Sequence, residues 1–201
     1  MQSKRLELII NAAIVKANQL QHEYLTLEIV FWAMLTDPEI RNILEHCGAD
    51  LTKMEAELNA FLGDNTNFSI LSSVQINELS ELQFPDLELR KLARESGILY
   101  QPEISLGLQR VIQRAAVQVQ SSGKKDILGL NILVAIFNEQ ESFVNYLLAS
   151  HGVEKFEIVK LIAHGIDKPI NSEASLNEEI RSELGGEKAT AKKKRFRRIL
   201  Y

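Results

Sequence analysis

A single cysteine, Cys47, stands in this chain of 201 residues. An internal disulfide is therefore excluded, and a reducing, cytoplasmic compartment is the one such a chain fits. No apolar run approaches the ~20 residues that cross a bilayer, so no membrane partner is expected. The N-terminus, Met1-Gln2-Ser3-Lys4-Arg5, leads into an amphipathic stretch. It lacks the apolar core and small-residue cleavage site of a signal peptide. No Gly-x-x-x-x-Gly-Lys-Ser/Thr loop occurs, so there is no backbone cradle for a nucleotide, and neither ATP hydrolysis nor a hexamer is expected. No stretch reads as a convincing strand. Metal-ligand sets are missing too: His22, His46, His151 and His164 are scattered among helix ends and turns. His22 and Glu23 gain no third ligand at i+3 or i+4. Cys47 sits at a predicted helix C-terminus, where the helix dipole raises a thiol pKa, so packing is its expected role. With no nucleophile–base pair in view, no catalytic residue, cofactor or metal is expected.

The composition is that of an ordinary globular chain, 45% apolar and 25% charged. One domain plus a tail is the natural organisation at this length. The net charge of −4 hides an asymmetry. Residues 167–201 hold nine Lys/Arg against six Asp/Glu, or +3, leaving 14 Lys/Arg and 21 Asp/Glu, or −7, on residues 1–166. An acidic body does not point to nucleic acid. The basic run Lys192 to Arg198 reads as the end of a flexible linker.

The chain contains itself twice. Asn11-Ala12-Ala13-Ile14-Val15-Lys16 lies over Gln113-Arg114-Ala115-Ala116-Val117-Gln118. At the same offset, Val30-Phe31-Trp32-Ala33-Met34-Leu35 lies over Ile132-Leu133-Val134-Ala135-Ile136-Phe137. The register then slips by about two residues, and Cys47-Gly48-Ala49 meets His151-Gly152-Val153. A repeat of this length is one structural unit used twice. Two copies are too few for a solenoid, so they imply a pseudo-symmetric domain whose copies cover each other's apolar faces.

Within each copy the periodicity predicts four helices. The first carries an apolar stripe, Leu6, Ile10, Ala13, Ala17 and Leu20 in one copy and Leu108, Val111, Ile112, Ala115 and Val119 in the other. The second helix, 26–35 or 128–137, is apolar nearly all round and is expected in the core. Asp37-Pro38-Glu39 starts a third helix that Gly48 stops, and Asp50 caps a fourth. Between the copies, residues 64–105 form an insert with helical stretches over 75–82 and 85–96. Its Leu87, Leu89, Leu92 and Ile98 predict that it docks on the domain. Trp32, Phe31, Phe137 and Phe143 are read as core, except where a seam between the copies opens a groove.

The second copy runs Leu108-Gln109-Arg110-Val111-Ile112-Gln113-Arg114-Ala115-Ala116-Val117-Gln118-Val119-Gln120-Ser121-Ser122-Gly123 and continues through Asn131-Ile132-Leu133-Val134-Ala135-Ile136-Phe137. The first contains His22-Glu23-Tyr24-Leu25-Thr26-Leu27-Glu28 and Asn42-Ile43-Leu44-Glu45-His46-Cys47-Gly48-Ala49-Asp50-Leu51. Over about residues 5–63 and 104–166 the chain resembles the N-terminal domain of ClpA-type AAA+ unfoldases. The resemblance implies an all-α, pseudo-twofold bundle of two four-helix Clp repeats, here with a helical insert between them. It divides the chain into a domain over 1–166 (repeat one 5–63, insert 64–105, repeat two 106–166) and a tail over 167–201. The insert is longer than the family's usual linker, and the chain stops where the ATPase modules would begin. It is therefore expected to be an isolated N-domain or a stand-alone relative, monomeric on its own.

The resemblance also implies a function: docking a ClpS-like adaptor and presenting substrate polypeptides to ClpAP-type protease machinery. Glu23 and Glu28 match the family's docking acids; on residue type alone, Glu28 is a first-turn acid facing the helix dipole and Glu23 a solvated loop acid. Arg110 and Arg114 share a helix face and become candidates for charge-assisted bonds to the adaptor; on residue type alone they are a solvated basic face. Ser105 is either a helix N-cap or part of that contact. The rival reading is a peptide-binding, chaperone-like holdase that uses an apolar seam, or a stand-alone competitor for the adaptor.

Overall fold

The computed structural model describes residues 3–164; the expected tail over 167–201 and its basic run lie outside the described residues. Ser3 and Ser105 open equivalent helices. The Ser3 Oγ accepts from the Leu6 N–H (3.2 Å) and the Ser105 Oγ from the Leu108 N–H (3.3 Å). These caps satisfy an otherwise orphaned donor in α1 (Lys4–Gln19) and in α7 (Leu106–Ser121). Each helix buries one stripe, Leu6, Ile9, Ala13 and Ala17 on α1 and Leu108, Val111, Ala115 and Val119 on α7. All four pairs stand at one offset. Ile9 therefore takes the core position expected of Ile10, which is half-buried.

Each stripe packs on its own apolar helix, α2 (Leu27–Met34) or α8 (Gly129–Ile136). Apart from Glu28 and Asn131 these two helices are apolar, and Ile29, Val30, Phe31, Leu133 and Ile136 are fully buried. Both lie in the core, as predicted. The other aromatics expected there, Trp32, Phe137 and Phe143, are only half-buried. Trp32 donates to Asn59 Oδ1 (3.1 Å), and Phe143 stacks on Phe61 at 3.9 Å between ring centres. The third helices, α3 (Pro38–His46) and α9 (Phe143–Ser150), are capped by Asp37 and Ser142. They lead into α4 (Leu51–Gly63) and α10 (Lys155–His164).

The copies are joined by reciprocal backbone bonds. The Ser105 N–H donates to the Leu25 carbonyl (3.1 Å), and the Ser3 N–H donates to the Ile127 carbonyl (3.2 Å). Each copy thus ties the start of its first helix to the segment before the buried helix of the other. This exchange is the pseudo-twofold axis expressed in hydrogen bonds. Around the first of these bonds a short parallel pair forms, β1 (Tyr24–Leu25) against β2 (Glu103–Ile104). The sequence reading found no strand, because two residues are too few for a period.

The insert carries α5 (Ser73–Gln83) and α6 (Leu87–Glu95). It docks, but not through the leucines expected to anchor it: Leu87, Leu89 and Leu92 are 73%, 59% and 58% exposed. The anchors are Leu71, Ile76 and Tyr100, with Leu79 and Leu99 packed against them. A polar knot fixes their position. The buried Asn18 accepts from the N–H groups of Leu99 (2.7 Å) and Tyr100 (3.1 Å) and donates to the Tyr100 carbonyl (3.0 Å). The Tyr100 hydroxyl donates to the His22 carbonyl (2.7 Å). Polar groups this deep are stable only when paired.

Two mutations test this account. Asn18→Ala strands three buried backbone groups and should lower unfolding stability by about 2–3 kcal/mol, whereas Leu92→Ser should change it by less than about 0.5 kcal/mol. Denaturant melts of both variants check it; a large loss in Leu92→Ser would restore the leucines as anchors. The second test concerns the α1 C-terminus. Gln21 holds φ +58°, and its counterpart after α7 is Gly123 at φ +69°. Left-handed backbone costs a residue with a Cβ but not glycine. Gln21→Gly should raise stability by about 0.5–1 kcal/mol in the same melts.

Candidate docking face

The turn after each buried helix closes in the same way. The Asp37 N–H donates to the Met34 carbonyl (3.0 Å), and the Glu139 N–H donates to the Ile136 carbonyl (2.8 Å). Each turn presents an acid to an arginine of its own first helix. Arg5 grips Asp37 through Nε (3.1 Å) and Nη2 (2.9 Å) and reaches Glu39 through Nη1 (2.8 Å). In the second copy Arg110 donates to Glu139 through Nε (3.2 Å to each carboxylate oxygen) and Nη2 (2.7 Å), and Arg114 donates to it as well. The shared four-residue spacing predicted from sequence thus brings Arg110 and Arg114 together, on a carboxylate the sequence reading did not single out. Its signal was available: Glu139 stands at the repeat offset from Asp37.

Glu139 is 9% exposed, while the Arg110 and Arg114 side chains keep 53% and 40% of their surface. Hydrogen bonds from Arg110 hold the Glu139 carboxyl below the usual carboxylate range, with Arg114 adding to the effect and burial opposing it. Two guanidinium groups share this one carboxylate, and the charge of Glu141 also bears on Arg110.

Glu23 and Ser105 meet at a different point. The Ser105 cap bonds to Leu25, so the start of α7 lies beside the 22–26 turn. The Glu23 carboxylate accepts from the Ser69 hydroxyl of the insert. From the turn His22, Tyr24 and Thr26, from the insert residues 67–69, and then Ser105 line a cleft of about 160 Å³. His22 is fully buried there, stacked on Phe68 at 4.2 Å between ring centres. Burial and the Lys16 charge push its pKa down to about 4, so it is neutral at physiological pH. Both its ring nitrogens and the Thr26 hydroxyl have no hydrogen-bond partner. Tyr24 feels Glu23 and Glu103 at the cleft mouth, and their charges raise its pKa, Glu23 the more strongly. Thr26 is the backbone N-cap of α2 without a side-chain cap bond, and Glu28 follows in the first turn of that helix. The Glu28 side chain makes no hydrogen bond or ion pair to the described residues. Arg110 and Glu139 reach this region through Gly107, where an added methyl would lie 3.6 Å from Leu27 Cδ1 and 3.9 Å from an atom of each.

The remaining candidates resolve simply. Among the described residues no three His, Cys, Asp or Glu side chains gather as metal ligands. The Cys47 thiol is pushed up to about 11 by burial, with Glu157 adding to it, which suits packing and not nucleophilic attack. His46 bonds the Asn42 carbonyl within its own helix (2.8 Å). His151 approaches Glu57 at 3.5 Å without a hydrogen bond. No described helix is long and apolar enough to cross a membrane.

The Glu139 cluster carries a pH signature. A carboxyl with a depressed folded-state pKa adds stability above its unfolded pKa and loses it as pH falls through the folded value. Glu139→Gln should therefore cost about 1–2 kcal/mol at pH 7, the range for charge-assisted bonds partly retained by the amide. The gap to the parent chain should narrow as pH falls below the ordinary carboxyl range and close once it has passed the depressed folded-state value. Equal stability of the two chains at pH 7 would show that the cluster holds nothing together.

Comparison with known proteins agrees with the geometry. The family model for the Clp repeat N-terminal domain matches residues 1–151. A ClpA homolog protein of Fuscovulum blasticum is 33% identical over 166 residues. That match takes in 83% of this chain but only 18% of the relative. A solved chain from "Preliminary structural investigations of a malarial protein secretion system" superposes with a TM-score of 0.59 at 10% identity, over 84% of this chain and 97% of that one, a likeness of fold alone. The doubled helical plan, the reciprocal bonds between the copies and the family match lead to one conclusion: this chain belongs to the Clp N-terminal domain family.

Proposed function

We propose that this domain is a non-catalytic docking module: it binds a ClpS-like adaptor and so helps present substrate polypeptides to a ClpA-type unfoldase and its protease. The observation that carries the reading is the half-exposed Arg110–Arg114 pair bonded to Glu139 on α7. Glu23, before α2, and Glu28, in its first turn, supply the negative charge that the reading adds to it. Such a face steers a partner of opposite pattern and fixes its orientation. Ser105 serves as the α7 N-cap and also lines the cleft. The chain acts as a monomer in the cytosol, and without ATPase modules in the same polypeptide it would occupy the adaptor as a competitor.

A second reading, capture of unfolded segments, has its own support. Val74, Leu82, Leu87, Leu89 and Leu92 are exposed on α5 and α6. Salt separates the two, since docking through charges weakens with ionic strength and capture by leucines does not.

Glu28→Ala should weaken adaptor binding at least about tenfold, equivalent to ~1.4 kcal/mol. It should lower stability by less than about 1 kcal/mol, the value of a first-turn acid. Arg114→Ala should weaken binding as strongly but also cost stability, because it leaves Glu139 with one partner. Calorimetric titration with the cognate adaptor beside thermal melts decides this. Unchanged affinity in both variants, or affinity indifferent to salt, would move the function to the leucine face.

A further inference from the structure

The insert runs past the end of α1 as a non-helical segment, and α1 holds it in two ways. At Gly97 the backbone comes so close that an added methyl would lie 3.3 Å from Val15 Cγ1. Three residues further along α1, the Asn18 carboxamide bonds the Leu99 and Tyr100 N–H groups and the Tyr100 carbonyl. At the repeat offset, Val117 stands for Val15 and Gln120 for Asn18. Val15 is half-buried and Asn18 buried, whereas Val117 is 65% exposed and Gln120 is exposed too. The second copy thus repeats this helix edge without the segment that covers it in the first.

The uncovered edge belongs to a shallow groove of about 430 Å³ on one face of α7, lined by Arg110, Gln113, Arg114, Val117 and Gln118. That lining holds two cations, two carboxamides, one apolar side chain and no acid. Glu139 takes Nε and Nη2 of Arg110 and Nη1 of Arg114. Arg114 Nε and Nη2 donate to no described residue, and these two form the fork that receives a carboxylate bidentately. The charge of Glu141 bears on Arg110, which leaves Arg114 the better anchor. In the first copy Ala12 stands where Arg114 does, so this charge is particular to the second. The carboxamides offer donors and acceptors together, and they match backbone N–H and carbonyl groups that are not already spent inside a helix.

We infer that the α7 groove seats an acidic, non-helical segment of the docked partner, much as α1 seats residues 97–100 of the insert. A carboxylate of the segment bonds Arg114, a small or apolar residue lies on Val117, and its backbone meets the carboxamides of Gln113, Gln118 and Gln120. The inference rests on the docking reading for the identity of the partner. It adds that part of the contact is a linear segment rather than a folded surface.

The test titrates the full chain with acetyl-Glu-Ser-Gly-Ile-Leu-Tyr-amide and follows the backbone amides by NMR. This is the insert's own sequence from Glu95 to Tyr100, with a carboxylate two residues before the glycine. Saturable shifts at Val117 and Gln118 are expected in the millimolar range or tighter. Glutamine in place of the peptide's glutamate should weaken binding about threefold or more. Val117→Glu, an exposed change that sets a like charge in the groove, should weaken it about tenfold or more while the melting temperature moves by less than about 2 °C. No saturable shift on α7 overturns the inference, and so does equal affinity of either the glutamine peptide or Val117→Glu. Shifts confined to Asn18, Leu99 and Tyr100 would show the peptide exchanging with the insert on α1. Shifts on α7 that follow protein concentration without peptide would show a second copy in the groove. Either of these also overturns it. The adaptor is titrated beside the peptide. Adaptor affinity unchanged in Val117→Glu sinks this inference and leaves the docking reading, whereas peptide binding without adaptor binding sinks the docking reading and leaves the groove.

Discussion

Helices α2 and α8 are apolar nearly all round, and a helix of that kind has no face to give to water. Each is eight residues long, too short to be stable in isolation. Each must therefore be surrounded, and within its own copy α2 has α1 and α4, and α8 has α7 and α10. The remaining walls come from the other copy: α2 packs on α8 and α9, and α8 packs on α1 and α2. Neither copy completes a core alone. The reciprocal bonds of Ser3 and Ser105 then fix the register in which two half-cores meet.

That constraint explains why the arginine–acid pairs recur. The turn after a buried helix must reverse the chain at the edge of the core, and its acid is drawn in with it. Glu139 is almost wholly buried, and a buried carboxylate without donors is costly. Arg5 meets the same need in the first copy, from a different position on its helix. The structural role of Arg110 and Arg114 is therefore compatible with the docking role proposed for them. Both bond Glu139 and keep a half-exposed surface.

Much of the fold was legible because it is written twice. The helix caps at Asp37 and Asp50, the α7 stripe and the two buried helices follow from local chemistry that needs no distant partner. The parts that sequence reading missed depend on distant residues. Ile9 displaces Ile10 because the packing of α2 sets the rotation of α1, while either residue satisfies the helical period. Leu89 and Leu92 have the spacing of one helix face, but they and Leu87 remain exposed. Tyr100 and Asn18 anchor the insert through bonds spanning some eighty positions, and no local pattern marks them. At the candidate site, Glu23 and Ser105 were legible as residues. Their meeting at one cleft was not, because a two-residue strand pair and the insert bring it about.

The polar knot and the cleft arise from one event. Where the insert docks on the segment after α1, the polar Asn18 and His22 are buried. Asn18 comes out satisfied, bonded to Leu99 and Tyr100, and the His22 carbonyl takes the Tyr100 hydroxyl. The His22 ring and Thr26 do not. A buried network in which every member is paired needs only a structural explanation. The network here is complete on the Tyr100 side, whereas the His22 ring nitrogens and the Thr26 hydroxyl lie beneath the surface without a protein partner. An apolar residue at position 26 would have removed one orphaned hydroxyl at no cost to the cap, since Thr26 makes no side-chain cap bond.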